Sequence, residues 1–128
     1  MMSDDTSRSI IGRYIEAYNA FHIDGMLALL HDDIVFHNYS GGKLELATNG
    51  IGEFRELAEK SATLFASRCQ TITGYRSENG EIVVDIHYDA VLAVDLPNGL
   101  KSGEQMELAG KSVFQIEDGK ILRIEDHS

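Results

Sequence analysis

Five polar side chains fall on faces that residue periodicity makes otherwise apolar: Tyr14, Asn38, Tyr88, Ser112 and Asp126. A carboxylate in Asp126's position loses hydration. That raises its pKa towards the range where it both takes and releases a proton near neutral pH. Tyr14 can donate a hydrogen bond to negative charge developing on a substrate oxygen. Asn38, Tyr88 and Ser112 suit the orienting of a bound molecule, with Tyr18, Phe36, Ile86 and Phe114 lining the same space. Each of the two leading residues also has a plainer reading. Tyr14 could be a core tyrosine bonded to Asn38 or water, and Asp126, near the end of the sequence, could be a frayed residue in solvent. A buried polar group without a partner costs about 1–3 kcal/mol. Five such groups from different elements are more than a packed core usually carries, and they point to a pocket.

Other chemistries find little support. Asp85, His87 and Asp89 alternate along one strand face, but a closed metal site needs about four converging ligands. We read them as an outward, solvated or dimer-facing stripe, and expect no metal. His22, His31 and His37 are scattered, and His127 should face away from Asp126. Cys69 is alone, without metal-ligand spacing or a disulfide partner within the chain, which makes the cytoplasm the default location. No Ser-His-Asp pattern, phosphate loop or dinucleotide fingerprint appears.

The chain has 128 residues, 43% of them hydrophobic, which suits one globular domain over 1–128. Eleven basic against twenty-one acidic residues give a net charge of −10, which argues against nucleic acid as a partner. No apolar run approaches the ~20 residues of a membrane helix, so no membrane partner is expected. The polar start, Met1 to Arg8, does not resemble a secretory signal.

The elements that must position the five groups follow from the pattern. Ile10, Ile11, Tyr14, Ile15 and Tyr18 share one helix face after a polar start at Ser3, Asp4, Asp5 and Thr6. Asp24 is read as the N-cap of a short helix carrying Met26, Leu27, Leu29 and Leu30. Residues 34–39 read as a strand and 44–47 as its return. A third helix carries Phe54, Leu57, Ala58, Ala62 and Phe65 on one side. Period two then predicts strands over about 70–76, 81–94, 105–117 and 121–127, joined at Asn79-Gly80, Asn98-Gly99 and Asp118-Gly119. Core faces are Ile82, Val84, Ile86, Tyr88, Ala90 and Leu92; Met106, Leu108, Gly110, Ser112, Phe114 and Ile116; and Leu122 and Ile124, which turn Asp126 inward. Ile34 and Phe36 carry Asn38 with them. Helices followed by a strand meander indicate α+β with an antiparallel sheet.

The run Arg13-Tyr14-Ile15-Glu16-Ala17-Tyr18-Asn19-Ala20, then Asp24 to Asp33, resembles the opening of ketosteroid isomerases and SnoaL-like proteins of the nuclear transport factor two-like superfamily. Gly50-Ile51-Gly52-Glu53-Phe54-Arg55 resembles their third-helix start, and Phe114 with Asp118-Gly119-Lys120-Ile121 their closing hairpin. The resemblance spans nearly the whole chain. It implies a cystatin-like α+β barrel: a cone-shaped sheet wrapped around a long N-terminal helix, with two further helices and one pocket at the wide end. It also implies a homodimer through the sheet's outer face. Tyr14 stands where ketosteroid isomerases have their oxyanion tyrosine. Asn38 stands where they have the aspartate base, and Ser112 close to their second aspartate, so steroid isomerisation is not expected. Asp126 falls where several relatives place pocket-lining residues.

The expected function is therefore a small-molecule pocket for an apolar or oxygenated ligand. As an enzyme it would be a cofactor-free isomerase, cyclase or hydrolase, with Asp126 as acid/base and Tyr14 as hydrogen-bond donor. The alternative is a non-catalytic ligand-binding or dimerisation module with the same fold.

Overall fold

The computed structural model of the chain describes residues 4–128. The expected helix start at Ser3 lies outside them. Three helices, α1 (Asp4–Asn19), α2 (Ile23–Leu27) and α3 (Ile51–Ala62), accompany six strands. The strands are β1 (Leu30–Ser40), β2 (Lys43–Asn49), β3 (Phe65–Glu78), β4 (Glu81–Leu92), β5 (Gln105–Glu117) and β6 (Lys120–His127). They form one curved sheet in the order β2-β1-β6-β5-β4-β3. No described helix is long and apolar enough to cross a membrane.

Helix α1 forms because Ile10, Ile11, Tyr14 and Ile15 recur at three- and four-residue spacing and all bury against the sheet. It stops in a Schellman turn. The His22 amide bonds the Ala17 carbonyl, the Phe21 amide bonds the Tyr18 carbonyl, and Phe21 takes a left-handed φ of 58°. The sheet is bent around α1. Ile11, Ile34, Val84 and Ile121 are fully buried, with Phe114 and Ile124 almost so. Each such side chain contributes about 1.5–3 kcal/mol of burial. The hairpins at Asn79-Gly80 and Asp118-Gly119 have positive φ at both turn positions, the geometry that matches strand twist.

Several sequence expectations are corrected. The sheet is mixed, because β1 and β6 run parallel, pairing Phe36 with Ile124 and Asn38 with Asp126. Phe65 opens β3 opposite Leu92 and is not part of α3. Asp24 sits inside the first turn of α2, and His22 holds the N-cap position. Strand β4 ends at Leu92, before Ala93 and Val94. Leu108 stands on the expected face but at its open end, 45% exposed. Leu122 does not enter the core. Ile116 pairs with Ile121 while Gln115 pairs with Arg123, so Leu122 is an extra residue that bulges the strand. The bulge leaves Ile121 and Ile124 both buried and sets the parity that turns Asp126 inward.

Candidate functional site

The concave face of the sheet, closed by α1 and α3, encloses a cavity of about 370 Å³, a size that accommodates a small organic ligand. All nine residues expected from the sequence line it: Tyr14, Tyr18, Phe36, Asn38, Ile86, Tyr88, Ser112, Phe114 and Asp126. Phe36 meets Phe54 of α3 edge-on, with ring centroids 5.8 Å apart, and Tyr14 meets Phe114 in the same way at 6.2 Å. These aromatic contacts make the walls largely apolar and fix the rings that face the ligand space.

Two polar groups of residues interrupt those walls. The first is built on neighbouring strands. Asp126 of β6 is flanked by Asn38 of β1 and Ser112 of β5, each its direct partner in register. The Ser112 hydroxyl donates a 2.6 Å hydrogen bond to Asp126 Oδ1. Part of Asp126 stays open to the cavity, yet neighbouring atoms strip most bulk water from its carboxyl. Burial therefore pushes the pKa up to about 6, with the Ser112 bond and the nearby His127 pulling the other way. A carboxyl so placed exchanges its proton near neutral pH.

The second group lies at the α1–β3–β4 side. Tyr18 Oη and Tyr88 Oη are 2.9 Å apart and hydrogen bonded. Burial, foremost, raises the phenol pKa values of Tyr14, Tyr18 and Tyr88. The Asp126 charge adds to the rise in all three, and Tyr88 is raised further by Tyr18. All three remain protonated at physiological pH and available as donors.

Among the further lining residues that the sequence reading does not place in the pocket are Met26, Phe65, Arg68 and Gln70. Arg68 and Gln70 alternate with the half-buried Ile72 on β3, and that parity was the signal available. A strand read as starting at Gln70 leaves Arg68 outside the pattern. Among the other candidates, His127 faces away from Asp126 as expected, its ring stacked on Tyr39 at 4.8 Å and near Glu125. On the outer face, Asp85 pairs with Arg76, and His87 contacts Asp89 and Glu107. These groups lie on the opposite side of the sheet from the cavity.

The model of the SnoaL-like domain family matches residues 11–124, which includes every element of the site except the tip of β6. The chain belongs to the SnoaL-like domain family. The structure is similar to that of a putative polyketide cyclase from Xanthomonas campestris pv. campestris, with TM-score 0.81, 18% identity, and 97% of this chain and 90% of that one covered. It is also similar to a putative SnoaL-like polyketide cyclase from Jannaschia sp. CCS1, with TM-score 0.80, 12% identity, and 98% and 88% covered. An NTF2-like protein of unknown function from Burkholderia pseudomallei K96243 gives TM-score 0.77 at 22% identity, with 98% and 91% covered. At these identities the likeness establishes a shared SnoaL-like fold. No curated protein matches the chain in sequence.

Proposed function

We propose that this SnoaL-like domain binds an apolar, oxygenated small molecule in its cone and moves a proton on it without a cofactor. The observation that carries the reading is Asp126, a carboxyl with a pKa near 6 facing an apolar cavity and held by Ser112. In the proposed step the Asp126 carboxylate takes a proton from carbon next to a carbonyl. The C–H electron pair moves into the enolate and its charge settles on oxygen, where the protonated Tyr14 donates a hydrogen bond. The proton then returns to the same or another carbon. Isomerisation and aldol-type cyclisation both begin this way. The cyclase names of structural neighbours agree with the reading but belong to those proteins.

The test is hydrogen–deuterium exchange at the α-carbons of 2-tetralone in D₂O, followed by NMR. We expect exchange above the buffer rate, rising as pH increases through about 6, and a loss of roughly 100-fold or more in Asp126→Asn. Binding of 2-tetralone with exchange at the buffer rate would favour the second reading, a non-catalytic pocket. The amide of Asn38, which cannot act as a base beside Asp126, is the feature that favours it. The rest of the reading is a single domain over 1–128, a homodimer through the outer sheet face, and a cytoplasmic location in keeping with the exposed thiol of Cys69. Sedimentation showing only monomer at micromolar concentration would remove the dimer.

A further inference from the structure

Arg68 is 5% exposed, the most deeply buried basic side chain described. It projects from β3 opposite Ala90, on the concave face, and forms part of the cavity wall. Its guanidinium carbon lies 3.7 Å from the centre of the Tyr18 ring and 4.4 Å from that of Phe21. Nε donates to the Tyr18 carbonyl at 2.9 Å. These contacts fix the head group rigidly and account for one of its five donors. They also explain why Phe21 occupies a left-handed position that glycine would fill more easily. The ring is held there against Arg68.

What the contacts do not supply is a counter-ion. Arg55, Arg76 and Arg123 each lie within salt-bridge distance of a carboxylate. Arg68 has no such partner among the described residues, and its Nη2 is buried without any hydrogen bond. A permanently charged guanidinium withdrawn from water and left unpaired is costly unless something completes it. The carbonyl of Tyr18 and two ring faces offset part of that cost, and an acidic oxygen in the cavity would offset the rest. Gln70 and Tyr88, directly paired across β3 and β4, stand beside it as neutral hydrogen-bonding groups.

The two polar groups of the cavity stand apart. Ser112 pairs with Val84, and Tyr88 lies four residues further along β4. At the strand rise, that is about 13 Å of backbone. A ligand whose acidic oxygen sits at Arg68 therefore extends its apolar body towards Asp126 without placing like charges together. We propose that the cavity selects organic anions, molecules with an apolar ring body and one carboxylate or comparably acidic oxygen, with Arg68 binding the acidic oxygen. This rests on the reading of the cone as a ligand pocket and adds the substrate class to it. The net charge of −10 sharpens the claim, because the molecule as a whole repels anions and only a local site would reverse the preference.

The probe pair is 2-naphthoate and its methyl ester, alike in body and different in charge, with binding followed by naphthalene fluorescence. Wild-type protein should bind naphthoate at least tenfold more tightly than the ester. Arg68→Gln should abolish that ratio while still binding the ester, and Arg68→Lys should keep part of it. The Arg68 Nε–H resonance should shift on addition of naphthoate and much less on addition of the ester, a readout that needs no variant to fold. Equal binding of both probes by the wild type would overturn the anion proposal and leave the pocket reading standing. Binding of none of naphthoate, ester and 2-tetralone would count against both readings, and binding of 2-tetralone without either probe against the anion proposal only. Lys111, exposed at the cavity rim, is the rival cation. A ratio lost in Lys111→Met but kept in Arg68→Gln would also overturn the assignment.

Discussion

Ser112 Oγ donates to Asp126 Oδ1 at 2.6 Å, between residues that face each other directly across β5 and β6. The bond favours the ionised carboxyl, while burial favours the neutral one. The balance sets the proton affinity of the cavity. Removing the hydroxyl with Ser112→Ala should move the Asp126 pKa upward from about 6. Titration of the ¹³C carboxyl resonance measures this directly. A downward shift would show that another donor dominates.

Asp126 also makes stability depend on pH. Its folded pKa is about 6 against an ordinary aspartate value of 3.8, so the folded state binds more protons in between. Stability is therefore greatest below the unfolded value and falls as pH rises through about 6, by an amount on the order of 3 kcal/mol at most. Asp126→Asn removes that dependence. In urea unfolding, the difference between variant and wild type should be small near pH 4 and should grow in the variant's favour up to pH 7. A variant less stable than wild type at pH 7 would contradict the desolvation argument.

Gly110 keeps the end of β6 in place. A Cβ at this position would clash with the backbone oxygen of His127, a contact that side-chain motion cannot relieve. Gly110→Ala should cost about 1–3 kcal/mol in urea unfolding. It should also displace the strand end that carries Asp126, so the carboxyl resonance should move even with ligand absent. Wild-type stability with an unchanged resonance would mean that the strand end yields freely.

Asn38 is the register partner of Asp126 on the parallel strand. Asn38→Asp places a second carboxyl beside the first, and like charges disfavour ionisation. The pair should titrate in two steps, the upper one above about 6. Wild-type protein should show no turnover of a β,γ-unsaturated ketosteroid above buffer. Turnover that is lost in Tyr14→Phe would show that a base other than residue 38 serves that reaction.

Much of the cavity was legible because a strand repeats every two residues. Ile86 and Tyr88 on β4, and Ser112 and Phe114 on β5, fall on the inward face by parity alone, and all four line the cavity. Parity fails where two apolar residues are adjacent. Ile121-Leu122 allows either to point inward, and only pairing with β5 shows that Leu122 bulges. Phe65 continues the helical spacing of Phe54, Leu57, Ala58 and Ala62. What makes it a strand residue is its pairing with Leu92, which lies far along the chain. A strand boundary set after Arg68 leaves that residue out of the pattern too. An arginine is ordinarily a surface residue, and the rings that bury this one come from the end of α1.

The parallel seam between β1 and β6 governs how the domain is assembled. Leu30 meets Ile121 only by closing about 90 residues of chain, and such distant pairings slow folding. Until β6 arrives, the β1–β2 hairpin and the β3–β4–β5 meander each present an unpaired strand edge, at β1 and at β5. One inserted strand seals both. Damage to β6 would therefore do more than remove Asp126. It would open two adhesive borders at once, and variants that break the pairing of this strand should be lost to aggregation before they are lost to inactivity.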